Sequence, residues 1–545
     1  MPNPKSSNDS VNVGTPPEDA IVLANSAKPP PGTGEILGGV VSSPASPTFF
    51  SVEFRLNAGS VTRPGTFVGI EAHPAQGGTS LVLARVNDVH EVNPHEDALS
   101  STLRNVLPFG TKYASEGHST VIYRIASAEP LEEAILDDDG HIVTVRAVET
   151  LPRAGAYVVE AGAELTAKAL GLEQDPNAGL WVGASAGDPN VQIVLSKNII
   201  QRHIFIGGGI GSGKSYTRGV VAEELQAFGI CQVNIDVNGE MVDATAELGG
   251  MNFIPGKGFT IPLSALSPGD VTAAVPSINP GTNMYTLLQF THEYLLREVA
   301  EGRRDFFMVD DLVKQIDHCA DTLEMKQKGT IEPTKLRTRS LNRLKFIGKP
   351  FDWAGALKPG AILNINCKGM PVAELRLVSA SIARDLQNLA RNGKLPFVAL
   401  SIDEFHLVAP NDDNVVTTQV LREIARIGRL YKLGLILTTQ SPSDVDRAIL
   451  KRLLTRFLHA IEPDQLDALK GVFSDASEDL VRSLPKLPQG TCIVTGAFET
   501  VRHATVVKIR ERTTSHGGKT PDIWTDIAKA GWPSKRYTKV KGKGK

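Results

Sequence analysis

Residues 203–228, HIFIGGGIGSGKSYTRGVVAEELQAF, form the segment that decides the fold of this chain. A short apolar run, HIFI, leads into GGIGSGKS (208–215), and helical sequence follows it. This is the pattern G-x-x-x-x-G-K-S between a strand and a helix, the context in which a phosphate-binding loop occurs. Glycines let successive backbone N–H groups turn toward phosphate oxygens, and the helix presents its positive end to the same anion.

Within this loop, the residues expected to bind the nucleotide are Gly208, Gly211, Ser212, Gly213, Lys214 and Ser215. The Lys214 ammonium is expected to reach the β- and γ-phosphates, and the Ser215 hydroxyl is a ligand for Mg²⁺. A glycine loop that only ends a strand is the alternative, but it does not account for the complete motif in its strand–helix context. The sequence therefore predicts a nucleoside triphosphate site with Mg²⁺.

A second apolar run, FVALSIDEF (397–405), ends in two adjacent acids, Asp403 and Glu404. Ligands in open α/β sheets bind at the carboxyl ends of the strands, where these side chains are expected. Asp403 is expected to hold Mg²⁺ through water and Glu404 to polarise the attacking water, because phosphoryl transfer depends on positioning and charge stabilisation. The alternative is a pair of acids at a solvated strand end.

Other strand ends carry candidate residues as well. LGLILTTQ (433–440) ends in Gln440, whose amide could sense the γ-phosphate, although a simple turn is equally open. ICQVNID (230–236) is followed by Asn238 and Glu240, a further acidic strand end on the same edge. Arginines that could stabilise transition-state charge, often from a neighbouring subunit, are Arg202, Arg422, Arg426 and Arg429. Taken singly, each of these arginines is more typical of a surface position than of a catalytic one.

The pattern outside these motifs predicts the domain organisation. From about residue 198, continuous apolar runs alternate with helical sequence, which favours a parallel sheet in an α/β domain, here assigned to 186–515. A charged helical insertion is predicted at about 286–350. Short alternating strands at 35–185, with Asp139-Gly140 as a hairpin signal, predict a small β-barrel or sandwich. Residues 1–34 read as a flexible tail and 516–545 as a basic tail.

Composition limits the class of protein. The chain has 545 residues, 41% hydrophobic and 21% charged, with a net charge of −3. This is enough apolar material for a large core, and it excludes a strongly cationic molecule, so any polyanion must meet a local basic patch. Four dispersed cysteines suggest reduced thiols, and neither an apolar run of about 18 residues nor a signal peptide is visible. A cytoplasmic protein without a membrane span is expected.

The motif blocks together resemble the HerA ATPases, motors of the HerA/FtsK class. The resemblance rests on the phosphate loop, Asp-x-Asn-Gly-Glu after the second strand, LKPGAILNI (357–365), IDEFHLVAP and GRLYKLGLILTTQSPSDVD. It implies a RecA-like ATPase domain preceded by a HAS-barrel, with ATP as nucleotide. The roles that it implies are Asp403 supporting the metal, Glu404 as catalytic base, Glu240 in the family's acidic block, Gln440 as sensor, Arg429 donated to the neighbour's ATP, and Arg202 as a second phosphate-sensing arginine. Asn238 stands where the family usually has histidine.

The resemblance also implies partners. It predicts a homohexamer around double-stranded DNA, acting with a partner nuclease or a sirtuin-like effector in end processing or antiphage defence, with the segment after 510 bracing adjacent subunits. Residues 325–350 carry eight Lys/Arg against one acid, Glu332, which suits phosphate contacts, a solvated helix or a subunit contact alike. An ATP-regulated ring scaffold and a secretion or conjugation ATPase are the competing functions. No base-reading motif is present, so sequence-specific recognition is not expected.

Overall fold

The structure, a computed structural model, describes residues 33–43, 46–75, 77–92, 123–325, 328–411, 415–470, 476–496 and 501–517. The chain forms two compact units, and the division between them falls between Gly171 and Leu172. The predicted tails lie outside the described residues, apart from positions 33–34 and 516–517.

The first unit is an antiparallel β-barrel. Its strands are β1 (Ile36–Val40), β2 (Val52–Leu56), β3 (Phe67–Ala72), β4 (Ser80–Val92), β5 (Tyr123–Leu136), β6 (Ile142–Arg146) and β7 (Tyr157–Glu160), with helix α1 (Ala163–Leu170). The order β2-β1-β7-β3-β4-β5 closes on itself because β5 also pairs with β2, and β6 adds to β5. Side chains along the strands alternate between the barrel interior and its outer face. In β2, for example, Val52 and Phe54 face the core while Arg55 is exposed.

The second unit is built on a twelve-stranded sheet. Its strands are β8 (Leu180–Ser185), β9 (Gln192–Leu195), β10 (Ile204–Gly207), β11 (Cys231–Asp236), β12 (Met251–Pro255), β13 (Gly258–Phe259), β14 (Ile362–Asn366), β15 (Val398–Ile402), β16 (Leu433–Thr439), β17 (Thr455–His459), β18 (Thr491–Thr495) and β19 (Thr505–Ile509). The order is β13-β12-β14-β11-β15-β16-β10-β17-β18-β19-β8-β9, parallel from β13 to β17 and antiparallel beyond it.

Helices surround this sheet and bury its apolar strands. They are α2 (Lys214–Ala227), α3 (Val242–Glu247), α4 (Pro268–Ala274), α5 (Asn283–Ala300), α6 (Val309–Thr322), α7 (Lys328–Thr338), α8 (Trp353–Ala356), α9 (Val372–Arg391), α10 (Val416–Ile427), α11 (Arg447–Leu450), α12 (Leu466–Lys470) and α13 (Glu478–Ser483). Helices α5, α6 and α7 form the predicted helical insertion. Helix α5 begins at Asn283 because the Thr282 hydroxyl caps it, accepting the N–H of Tyr285 at 3.2 Å.

The fold predicted from the sequence, a RecA-like P-loop sheet with a helical insertion after a small β-barrel, is confirmed. The division between the units, however, does not fall at 185/186. Strand β8 pairs with β19 and with β9, so residues 180–185 complete the second sheet instead of the barrel. Their alternating pattern suits either sheet, and only the long-range pairing with β19 decides between them.

Among the described residues, no helix is both long enough and apolar enough to cross a membrane.

Candidate nucleotide site

The phosphate loop joins β10 to α2 and is closed by its own hydrogen bonds. The Lys214 ammonium donates to the carbonyl of Gly209 at 2.9 Å, and the Ser212 hydroxyl donates to the same carbonyl at 2.8 Å. Gly211 and Gly213 have φ values of 74° and 116°, which only glycine adopts without strain. The loop therefore has the curvature that turns backbone N–H groups inward, and Ser215 follows in the first turn of α2.

A buried histidine, which sequence reasoning missed, supports the loop from beneath. His459, at the end of β17, lies between the Thr491 carbonyl, 3.1 Å from Nδ1, and the Thr217 hydroxyl, 2.8 Å from Nε2. Burial and the positive charge of Lys214 lower the pKa of His459 to about 4. The ring is therefore neutral near pH 7, with Nδ1 donating to the carbonyl and Nε2 accepting from Thr217.

The two acids predicted at the end of β15 lie at the same sheet edge as the loop. Asp403 is almost fully buried, and burial raises its pKa to about 6, although the Arg218 guanidinium pulls it down. An Arg218 nitrogen lies 3.5 Å from Asp403 and 4.0 Å from Asp236. Arg218 follows Lys214 by one helical turn, so both cations point from α2 toward the acids. That i, i+4 spacing was the available signal for this missed residue.

Glu404 occupies a strained backbone position next to Asp403. Its φ is 44° and its ψ is 47°, in the left-handed region that a non-glycine residue rarely adopts. The Glu404 carboxylate accepts the N–H of Gln440 at 3.3 Å, and the Nδ1 of His406 is also 3.3 Å away. The structure thus brings the side chain of Glu404, the predicted base, to the backbone of Gln440, the residue predicted as sensor.

The acidic block at the end of β11 contains three residues that make different contacts. Asp236 holds the turn, since its carboxylate accepts the N–H groups of Gly239, Glu240 and Met241 at 3.0–3.1 Å. Asn238, which stands where the HerA family usually has histidine, donates a hydrogen bond from its side-chain amide to Asp403 at 3.3 Å. The buried Oε2 of Glu240 has no hydrogen-bond partner among the described residues, which leaves an acceptor available at this edge.

Electrostatics connect the loop to the acids. Burial lowers the pKa of Lys214, and the negative charges of Glu404, Asp403 and Glu240 partly restore it. Among the described residues, the Lys214 ammonium is bonded only to a carbonyl of its own loop, so it can turn to a phosphate ligand. The hydroxyl of Ser215 and the carboxylate of Asp403 are oxygen donors of the kind that would suit Mg²⁺, which is usually held by one or two such protein groups besides phosphate and water.

Arg202 and Arg429, the two arginines expected to act on phosphate, do not lie at this edge. Arg202 ends the 3₁₀ turn that precedes β10, and Arg429 lies in the 3₁₀ turn that precedes β16, so both are at the amino ends of their strands. Arg429 is exposed. Arg422 forms an ion pair with Asp446 at 2.6 Å, and Arg426 is exposed near the end of α10. Within one subunit, the phosphate loop and Arg429 are therefore at opposite edges of the sheet.

The fold and this edge define a P-loop NTPase of the RecA-like class, with the loop on β10 and the acid pair on β15. Residues 180–386 match the family described as "Helicase HerA, central domain". Over these residues the chain is similar to the HerA ATPases, and its nucleotide site is that of a P-loop ATPase.

Relatives with similar sequences carry the same family name. The DNA double-strand break repair helicase HerA of Sulfolobus acidocaldarius is 25% identical over 366 residues, covering 63% of this chain and 71% of that protein. The protein of the same name from Pyrococcus furiosus is 21% identical over 524 residues, covering 84% of this chain and 89% of that protein. Among solved structures, VirB4 of Thermoanaerobacter pseudethanolicus has a TM-score of 0.50 at 15% identity, covering 62% of this chain and 98% of that chain, and this likeness concerns the fold.

Proposed function

We propose that this ATPase is a motor that moves along double-stranded DNA as a ring of identical subunits, most simply a homohexamer. The observation that carries the proposal is the separation of Glu404 and Gln440 from Arg429, which lies at the opposite edge of the sheet. In this proposal each site contains its own base and sensor, and the adjacent subunit supplies the arginine that stabilises the transition-state charge. The relatives named as DNA repair helicases supply the substrate class.

In this proposal the loop and the acids divide the chemistry. The backbone N–H groups of the loop and the Lys214 ammonium hold the triphosphate, and Ser215 and Asp403 hold Mg²⁺. When bound, Mg²⁺ offsets negative charge on the phosphate oxygens. Glu404 accepts a hydrogen bond from the attacking water, and its contact with the Gln440 backbone fixes the carboxylate that orients this water. Glu240 adds an acceptor at the same edge.

Arg429 of one subunit would approach the ATP of the next subunit. The exposed Arg429 side chain has no hydrogen bond or ion pair among the described residues, so its reaching a neighbour would break no internal side-chain contact. Next to it, Leu430 is 77% exposed, an apolar surface that a subunit contact would cover. Arg202 lies at the same amino edge and is proposed as a second arginine that senses phosphate across the interface.

DNA contact is assigned to exposed basic residues that follow α7 within the predicted helical insertion. Arg339, Arg343, Lys345 and Lys349 are exposed, whereas Lys335 is engaged by Asp317 and Glu332. The Arg343 guanidinium also donates to the Ala274 carbonyl. Because the whole chain carries a net charge of −3, duplex binding would depend on this local patch and weaken steeply with salt. The binding would be independent of base sequence.

The barrel is proposed as a HAS-barrel that docks an effector, either a partner nuclease or a sirtuin-like protein, in DNA end processing or antiphage defence. Four free, buried cysteines are consistent with a cytoplasmic location.

The test is ATP turnover with and without linear duplex DNA at low salt. DNA should stimulate the wild-type protein, and Lys214→Ala and Glu404→Ala should abolish turnover. Replacing Arg339 and Lys345 with glutamine should remove the stimulation while leaving basal turnover intact. Turnover that is unchanged at every DNA concentration would favour the ring scaffold instead. Mass photometry over a range of protein concentrations tests the ring, and a monomer throughout would remove the role proposed for Arg429.

A further inference from the structure

The chain that follows β19 crosses the phosphate-binding helix α2. We call residues 510–517 the C-terminal strap. It begins with Arg510, whose guanidinium reaches Glu223 at 2.8 Å and Glu224 at 2.7 Å on α2. These three residues are largely buried, so the contacts are shielded from water and from salt.

The middle of the strap is held by one carboxylate of α2. Glu223 accepts the N–H of Thr513 at 3.0 Å, the N–H of Thr514 at 2.9 Å and the hydroxyl of Thr514 at 2.7 Å. Burial alone would raise the pKa of Glu223, but these hydrogen bonds and Arg510 hold it below its ordinary value. The strap thus supplies the partners that make a buried carboxylate acceptable in the middle of this helix.

Arg512 is the central anchor, and α2 has a glycine that accommodates it. The Arg512 side chain is 2% exposed, and a Cβ atom on Gly219 would lie 2.2 Å from its guanidinium carbon. The Arg512 N–H also donates to the Tyr216 hydroxyl at 2.7 Å. A glycine inside a helix costs about 1 kcal/mol relative to alanine. Gly219 is therefore explained by close approach of the strap, since α2 itself does not need it.

The end of the strap reaches the acidic block of the nucleotide site. The N–H of Ser515 donates to Glu247 on α3 at 2.6 Å. Gly517 packs against the backbone of Glu240, and a Cβ atom at 517 would lie 2.7 Å from the Glu240 carbonyl oxygen. One short segment therefore touches both the helix that carries Lys214 and Ser215 and the turn that carries Glu240.

We propose that the C-terminal strap sets the spacing between the phosphate loop and the acidic edge, with Arg512 as a positioning residue that acts through Gly219. The strap touches α2 and the Glu240 turn, not the nucleotide. With the strap in place, the cationic and anionic halves of the site are held in one arrangement before nucleotide binds, which lowers the ordering cost of binding. This inference requires the nucleotide site only and is independent of DNA translocation.

The test compares Gly219→Ala with Gly329→Ala, an alanine at an exposed helical glycine whose added Cβ would meet nothing within 4 Å. Both changes favour helix, but only Gly219→Ala displaces Arg512. Binding of a fluorescent ATP analogue with Mg²⁺ and the KM for ATP are measured without DNA. We expect Gly219→Ala and Arg512→Ala each to weaken binding and raise KM about tenfold, which is about 1.4 kcal/mol, and Gly329→Ala to change neither.

The double variant Gly219→Ala/Arg512→Ala separates positioning from two unrelated effects. Because both substitutions remove one contact, the double variant should match Arg512→Ala alone. Hydrogen exchange should rise in the segment 236–247 in all three variants, and it should not rise in the barrel. Unchanged affinity and KM in Arg512→Ala, or additive losses in the double variant, would overturn the proposal. Should Gly219→Ala fail to fold, affinity and exchange in Arg512→Ala decide the question.

Discussion

Replacing Arg218 with methionine tests the electrostatic arrangement at the acidic edge most directly. The Arg218 side chain is 2% exposed and faces Asp403 at 3.5 Å and Asp236 at 4.0 Å, while its Nε donates to Ser401 at 3.2 Å. Methionine preserves much of the length and packing but removes the charge. Two buried carboxylates would then share this edge without their nearest cation.

The expected cost follows from burial. Removing one partner of a buried ion pair costs about 3–5 kcal/mol, because the other charge stays in a poorly solvated place. Asp403 can escape by taking up a proton, and its pKa, already raised to about 6 by burial, would rise further without Arg218. In the folded variant, Asp403 would therefore keep its proton to a higher pH than in the wild type, whereas the unfolded chain releases it near its ordinary pKa. The variant's deficit in the free energy of unfolding should be larger at pH 8 than at pH 6.

Tryptophan fluorescence during urea unfolding measures this free energy for the second unit alone. All four tryptophans, Trp181, Trp353, Trp524 and Trp532, lie after residue 171, so the barrel does not contribute to the signal. Arg482→Met is the matched control, since Arg482 is 70% exposed beside Glu478 and its loss should cost less than about 1 kcal/mol. If Arg218→Met behaved like this control at both pH values, the reasoning about buried charge would be refuted.

Three further predictions concern the nucleotide site. His459 has a pKa of about 4 when folded and an ordinary value of 6.5, so the unfolded chain binds the extra proton and stability falls as pH drops from 6.5 to 4. The free energy of unfolding that His459→Gln loses relative to the wild type should therefore become smaller as pH falls from 6.5 to 4. Urea unfolding should show a decrease of up to about 3 kcal/mol in this loss. Lys214→Ala should lose binding of a fluorescent ATP analogue, whereas Glu404→Gln should retain binding and lose at least about 100-fold in turnover. Because Arg429 is proposed to act on a neighbour, Arg429→Ala subunits mixed with Lys214→Ala subunits should recover part of the turnover, and zero recovery would argue for a role within one subunit.

Local motifs made much of the nucleotide site predictable. The phosphate loop, Asp403 and Glu404 are each written in one short stretch, and parallel strands bring their carboxyl ends to one edge. Gln440 was predictable for the same reason, as the residue that follows β16. The placement of strands along the sheet was harder, since β8 is separated from its partner β19 by more than half of the chain.

Other residues of the site could not be given a role from the sequence, because their partners are distant in sequence. His459 reads as the polar end of an apolar strand, and only its contacts with Thr217 and Thr491 give it a place beneath the loop. Arg218 and Gly219 look like ordinary positions of an amphipathic helix. The role of Arg218 follows from its contact with Asp403 at the end of β15. The role of Gly219 follows from its contact with Arg512, which lies almost 300 residues later in the chain.

The hairpin β8–β9 determines the residue at which a fragment that contains only the second unit can begin. Strand β19 lies between β18 and β8, and the Arg510 guanidinium donates to the Trp181 carbonyl at 2.9 Å. A fragment beginning at residue 186 would leave one border of β19 with unpaired backbone groups, a template for intermolecular strand pairing. Such a fragment would be prone to aggregate and would lose the carbonyl that receives Arg510. An excised ATPase for crystallisation or kinetics should start no later than Leu172.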